Sequence, residues 1–283
     1  MIIQKGVLDS FAALVEEETG NLSGGELKTG VDLGTANIVL AVVNGDNEPV
    51  AGATFPSSVV KDGIVVDYMG AIRIVRNLKA KVEAVIGKEL TEASCAIPPG
   101  VEFGSVKAIS NVVEGAGFDV VNIVDEPTAA ASVLGITDGA VVDVGGGTTG
   151  ISILKDGNVI YTADEPTGGT HMTLVIAGYY GVSIEEAEAM KKDPAREADI
   201  FPIVKPVIQK MASIVKRFLT GYEVPAVYVV GGACSFREFT EVFEKELGIQ
   251  TIKSNQPLLV TPLGIAMNSV RNEENIQKYR GRM

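Results

Sequence analysis

Two stretches of this chain repeat one another more than a hundred residues apart: GVDLGTANIVLAVV at 30–43 and VVDVGGGTTGISIL at 141–154. Each runs through apolar residues into an aspartate, Asp32 or Asp143. Each then turns at glycine and threonine, Gly34-Thr35 in the first and Gly145-Gly146-Gly147-Thr148 in the second, and leaves through a β-branched run. Strand, tight glycine turn, strand is the signature of a β-hairpin. The likeness continues into NGDNEPVA (44–51) and KDGNVIYTA (155–163), each of which reads as a turn and a third strand. A duplication of this extent constrains the chain to two halves of like fold.

The remaining pattern fits that division. Helical periodicity marks 68–87, 102–117, 127–136, 170–181, 183–192, 202–222, 235–248 and 261–272, and apolar runs mark strands at 92–99, 118–127 and 226–233. Ser183 with Glu186 three residues on forms a capping box, and Pro127 suits a first helical turn. Strands alternate with helices in both halves, which gives an α/β fold. Residues 1–28 stand apart. Val7, Leu8, Phe11, Leu14 and Val15 fall on one helical face, and TGNLSGGELKTG (19–30) has the composition of a linker. The expected organisation is an N-terminal amphipathic arm and linker (1–28), a first lobe (29–139) completed by the C-terminal helix (262–283), and a second lobe (140–261). A short amphipathic helix is marginal in water alone, so the arm is expected to dock on a shell or client protein, or else to fold back on its own body.

Composition excludes several partners. A net charge of -12 argues against nucleic acid and against anionic membrane surfaces. No apolar run is long enough to span a bilayer. Cys95 and Cys234 lack metal-ligand spacing, and their use suits a reduced cytoplasm. The single histidine, His171, reads as a helix-start residue.

The hairpins themselves suit a phosphate chain. Glycine turns present N–H donors at close range, because no Cβ blocks the approach. Thr35 and Thr148 can add hydroxyl donors. Asp32 and Asp143, brought to opposite sides of one cleft, suit Mg²⁺ held through retained waters. Other phosphate motifs are missing: there is no G-x-x-x-x-G-K-[ST] and no G-x-G-x-x-G opening a helix.

VDLGTAN and VVDVGGGTTGISIL, with VDEPTAAA (124–131), TGGTHM (167–172), VVGGA (229–233) and TPLGIAM (261–267), resemble the phosphate, connecting and adenosine motifs of the actin, Hsp70 and sugar-kinase superfamily. VVKDGIVVDYMGAIRIVR (59–76), DEPTAAA, GGGTTGISILKDGNVIYTADEPTGGTHMTL and TPLGIA are similar, more closely, to the ethanolamine utilization protein J family. The resemblance implies a two-lobed ATPase fold of duplicated ribonuclease H-like halves. It implies ATP or ADP with Mg²⁺ as ligands. It also implies a chaperone-like or reactivating role toward ethanolamine ammonia-lyase or microcompartment proteins, in the cytoplasm or at a bacterial microcompartment.

Carried onto matching residues, it places Gly34 and Thr35 in the first phosphate turn, Gly145, Gly146, Gly147 and Thr148 in the second, and Gly231 and Gly232 beside the adenosine. Asp32 and Asp143 would hold Mg²⁺ through waters, and Glu126 would orient the attacking water, so that the three carboxylates form the catalytic set. Departures accompany the match. The lysine that Hsp70 chaperones place near the γ-phosphate has no counterpart, Lys61 and Arg73 being the nearest substitutes. Ser235 stands where an adenine-stacking arginine is placed, with Arg237 two residues on. The outer subdomains are reduced to little more than 55–60 and 193–201. The intact carboxylates favour a weak Mg-dependent ATPase acting as a chaperone. The missing lysine favours a nucleotide-binding scaffold without turnover, and a sugar or acid kinase is a third reading.

Overall fold

The computed structural model describes residues 5–21 and 25–280. After helix α1 (Lys5–Glu17), the first repeat folds as a meander of β1 (Leu27–Leu33), β2 (Asn37–Asn44) and β3 (Pro49–Pro56). A two-residue ladder, β4 (Val60–Lys61) with β5 (Ile64–Val65), leads into α2 (Tyr68–Ile86). Strand β6 (Glu92–Ile97), helix α3 (Phe103–Gly115) and strand β7 (Asp119–Asp125) follow, and β6 and β7 extend the sheet in parallel beyond β1. Helix α4 (Glu126–Leu134) then crosses to the second repeat.

There β8 (Gly139–Val144), β9 (Thr149–Lys155) and β10 (Asn158–Glu165) repeat the meander. Helices α5 (Gly169–Tyr180), α6 (Ile184–Lys192) and α7 (Glu197–Phe218) come next, and then β11 (Val227–Val230), α8 (Phe239–Leu247) and β12 (Thr251–Lys253). The chain closes with α9 (Pro257–Met267) and α10 (Glu273–Arg280). The two sheets run β3-β2-β1-β6-β7 and β10-β9-β8-β11-β12, with matching strand senses. The duplication read in the hairpins therefore extends to the whole topology of each lobe.

Local chemistry sets the element ends. Asp67 accepts from the Gly70 N–H to start α2, Asp125 accepts from Thr128 N–H to start α4, and Ser183 accepts from Glu186 N–H to start α6. Gly87, Gly135, Gly181 and Gly248 end helices in the left-handed region. Packing then makes layers. α2 and α3 cover one face of the first sheet, around Val75, Ile109, Ile123 and Leu40. α5, α7 and α8 cover the outer face of the second, around Met172, Ile208, Val229 and Phe243. α4 and α9 fill the space between the sheets, where Val39, Ala41 and Val43 of one meet Val141, Tyr228 and Val230 of the other through Val133, Leu134 and Leu263.

The N-terminal helix corrects one expectation. Leu8 and Phe11 are fully buried and Leu14 nearly so, against β3 and α9. The apolar face that the sequence left for a partner is occupied by the chain's own body, because β3 is an edge strand with an uncovered inner face. The segment read as a linker is partly paired as well. Gly20 bridges to Ala51, the Asn21 N–H donates to the Val50 carbonyl at 2.8 Å, and β1 starts at Leu27. The outer subdomains are as reduced as expected. The β4–β5 ladder stands in place of the first, and α6 with a short 3₁₀ turn at Pro194–Arg196 in place of the second. No helix among the described residues is long and apolar enough to cross a membrane.

Candidate functional site

The two hairpin turns meet. They lie at the mouth of a cleft of about 500 Å³ between the lobes. The residues that the sequence assigned to the phosphate turns, the acidic set and the adenosine turn all line it: Asp32, Gly34 and Thr35 from the first turn, Asp143, Gly145, Gly146, Gly147 and Thr148 from the second, Glu126 from the start of α4, and Gly231 and Gly232 from the end of β11. Contact between the turns is direct. A side chain at Gly146 would stand 3.1–3.2 Å from Ala36 and the Thr35 Cβ of the opposite lobe. The second turn is braced from behind. Gly169 N–H donates to the Gly145 carbonyl at 2.9 Å, and Thr170 donates to the Gly146 carbonyl through both its N–H and its hydroxyl, each at 2.8 Å. Backbone held this way keeps its remaining N–H groups aimed in fixed directions, as an anion site requires.

One wall of the cleft is acidic. Burial, and then the neighbouring Asp143, push Asp32 from 3.8 up to about 7. Burial raises Asp143 to about 6, against the pull of the Thr261 hydroxyl, which donates to its Oδ2 at 2.5 Å. Burial and four surrounding carboxylates, Asp143 foremost, hold Glu126 well above the usual range. Glu126 is the first residue of α4 rather than a strand-end residue. Carboxylates so perturbed and gathered in one cleft make a candidate functional site.

A fourth carboxylate was not read from the sequence. Asp164, on β10 opposite Gly150, is raised to about 6 by burial, with the Thr148 hydroxyl working the other way. Its Oδ1 is buried and has no hydrogen-bond partner. That oxygen reaches the second turn because position 150 has no side chain, a Cβ there standing 3.3 Å from it.

The far end of the cleft is lined by Met172, Ala233, Ser235, Phe236 and Leu258, an apolar slot of the kind that takes a base. Its cations come from α6, which sequence reasoning had marked only for its cap. Lys191 Nζ stands 2.6 Å from Glu188, 2.8 Å from Thr173 Oγ1 and 3.1 Å from the Gly169 carbonyl, and burial lowers its pKa. Lys192 pairs with the same Glu188 at 3.2 Å. Neither Lys61 nor Arg73 lines the cleft. Arg237 is turned to Glu197 instead of lying across the slot. His171 accepts from the Gly168 N–H at 3.4 Å, as a helix-start residue.

Among the described residues no group of three His, Cys, Asp or Glu comes together to hold a metal ion directly. Two facing carboxylates, both held above their usual range by burial, fit Mg²⁺ bound through its own waters.

Comparison with known proteins fits this geometry. The chain is 40% identical over 266 residues to the ethanolamine utilization protein EutJ of Escherichia coli K12, covering 94% of both chains. It belongs to the EutJ family. The crystal structure of EutJ from Carboxydothermus hydrogenoformans is 52% identical and superposes with a TM-score of 0.88, over 93% of this chain and 97% of that one. Sequence profiles of the type IV pilus assembly protein PilM and of MreB/Mbl match residues 132–268 and 56–195. MreB5 of Spiroplasma citri, solved with AMPPNP, shares the fold at 18% identity and a TM-score of 0.69, over 86% of this chain and 95% of that one. The EutJ family thus has the two-lobed fold of MreB and PilM, as the duplicated hairpins implied.

Proposed function

We propose that this chain binds ATP or ADP with Mg²⁺ between its two hairpins and serves ethanolamine utilization as an Hsp70- or actin-like chaperone or reactivating factor. The observation that carries the reading is the pair of glycine turns, each preceded by its aspartate, lining one cleft. N–H groups of Gly34, Thr35 and Gly146 to Thr148 would hold the β- and γ-phosphates, the Gly145 N–H being bonded to the Thr148 carbonyl within the turn. Asp32 and Asp143 would hold Mg²⁺ through waters, and the ion supplies the positive charge that a phosphate chain needs in so acidic a cleft. The base would lie beside Gly231 and Gly232.

Glu126, at the start of α4 and lining the cleft, would orient a water at the phosphate end. Turnover would open and close the lobes and so remodel a client, with ethanolamine ammonia-lyase or a microcompartment protein as the expected partner. Cys95 and Cys234 are buried and not joined in a disulfide, which suits the reducing cytoplasm.

A second reading is a nucleotide-binding scaffold without turnover. It is favoured by one observation: Lys191 and Lys192, the cations lining the cleft, are both paired with Glu188. Thermal unfolding with millimolar Mg–ATP tests the common part. Nucleotide at 100 times its Kd adds about 2.7 kcal/mol, a rise of several degrees in Tm. Asp32→Ala and Asp143→Ala should each abolish the rise, and a folded wild-type chain with no rise rejects the reading.

A further inference from the structure

Helix α9 is held by different lobes at its two ends. At the first end, the Pro257 carbonyl accepts the Gly231 N–H at 2.8 Å, and Thr261 Oγ1 donates to Asp143 Oδ2 at 2.5 Å, with Thr261 and Asp143 both buried. Both bonds go to the second lobe. The other end belongs to the first lobe and to α4. A side chain on Gly30 of β1 would come within 2.3 Å of the Ala266 nitrogen, and one on Gly264 within 2.0 Å of the Ala129 carbonyl, so these backbones touch directly. Beyond the helix, Ser94 Oγ donates to Ser269 Oγ at 3.0 Å, and Asn122 Nδ2 donates to the Asn268 carbonyl at 2.8 Å.

Pro262 stands between the two grips. It has no N–H to give to the carbonyl four residues back, and helices bend at such residues. Thr261 is therefore the last side chain on the second-lobe side of a built-in joint. Its hydroxyl could bond the carbonyl one turn earlier, as threonines inside helices do. It bonds the cleft carboxylate instead. Asp143 cannot swing away from it freely, because its Oδ1 is pressed against Gly231, where a Cβ would stand 2.4 Å away.

We propose that Thr261 is a positioning residue that couples what occupies the cleft at Asp143 to the angle between the lobes. Pro262 is the joint, and residues 264–269 are the arm fixed to the first lobe. The inference rests on the nucleotide reading above, since the occupant that moves Asp143 is the hydrated cation of Mg–ATP. A carboxylate that takes up such a cation shifts its oxygens, and the short bond to Thr261 carries that shift into the first turn of α9. The packed surfaces on either side of Pro262 have discrete arrangements rather than continuous ones, so a small movement at one end becomes a rotation at the other. By reciprocity, a partner that rotates the lobes alters the affinity of the cleft.

Amide hydrogen exchange over residues 263–268, with and without Mg–ATP, tests the coupling on full-length protein. Thermal unfolding is followed in parallel. In wild type, Mg–ATP should raise Tm and change exchange across this segment roughly tenfold. Thr261→Ser, which keeps the donor, should retain both responses. Thr261→Val, which keeps the shape and removes the donor, should keep a Tm rise and lose the exchange response. A Thr261→Val protein whose α9 segment responds as wild type does overturns the coupling. If that variant does not fold, Pro262→Ala carries the test: it restores the missing N–H and stiffens the joint, and an undiminished response there also overturns it. Wild type with no Tm rise overturns the nucleotide reading itself. Wild type with a Tm rise and no change in α9 overturns the coupling alone.

Discussion

Replacing Asp32 by asparagine should stabilise the ligand-free protein while destroying its response to Mg–ATP, and the gain should depend on pH. Asp32 is held at about 7 in the folded chain, against 3.8 for the free side chain, with burial the main cause and Asp143 the second. A raised pKa means that folding favours the protonated form. The stability this represents is fully present below about pH 4 and is lost as pH rises to about 7, where the folded protein too must carry the charge. The shift of about three units corresponds to roughly 4 kcal/mol at pH 8. An asparagine side chain in the same place forgoes its hydration without an assured partner, which returns about 1–3 kcal/mol. The net gain is then on the order of 1–3 kcal/mol, or about 2–10 °C in Tm. Urea unfolding of wild type and Asp32→Asn at pH 4.5 and pH 8, each with and without Mg–ATP, measures this. The variant should be the more stable at pH 8, equal to or up to about 2 kcal/mol less stable than wild type at pH 4.5, and indifferent to nucleotide throughout. An equal loss of stability at both pH values would falsify the argument, because it would mean that Asp32 is held by favourable contacts rather than kept in the cleft against its own desolvation.

Further outcomes follow from the same geometry. Glu126→Gln should keep the Mg–ATP thermal shift and remove phosphate release, since it preserves shape and takes away the base; release at the wild-type rate rejects Glu126 as the water-orienting group. Phe11→Ala empties a fully buried site under α1 and should cost about 3–5 kcal/mol in chemical denaturation, whereas a surface arm would lose almost nothing. Gly146→Ala puts a methyl group where Thr35 and Ala36 of the other lobe already stand, and should wedge the turns apart. A marked loss of nucleotide affinity with little loss of stability is the expected signature, and unchanged affinity in calorimetry counts against direct contact of the turns in solution.

Much of the fold was legible because its signal is duplicated. The Asp-Gly-Thr hairpins, the small-residue helix after Pro127 and the Ser183 cap are local patterns that the structure keeps where the sequence put them. What escaped was set by tertiary packing. Strand β12 is three residues long and exists because β11 offers it a parallel edge. Helix α10 reads as a polar tail and is fixed by contact with β7 and α3. Helix α7 starts at Glu197, before two prolines that suggested a later start, with Glu197 and Asp199 in its first turn. Asp164 was invisible because its reach depends on the missing side chain of Gly150, on another strand. The seat of α1 was likewise unreadable, since an amphipathic face shows that a surface is needed and not whose surface it is.

The lobes are unequal in how the chain supplies them. The second sheet is one unbroken segment from β8 to β12, complete before α9 begins. The first sheet forms from the earliest strands, but its inner face is closed by α9, and the Ser94–Ser269 bond ties residues 175 positions apart. During synthesis α1 and then α4 can cover the face formed by Val39, Ala41 and Val43, but Leu263 and the second sheet's Val141, Tyr228 and Val230 join it only later. Its own contacts of longest range come last, which is the slow part of any folding reaction. Residues 257–269 thus close the core of a lobe whose strands begin more than two hundred positions earlier.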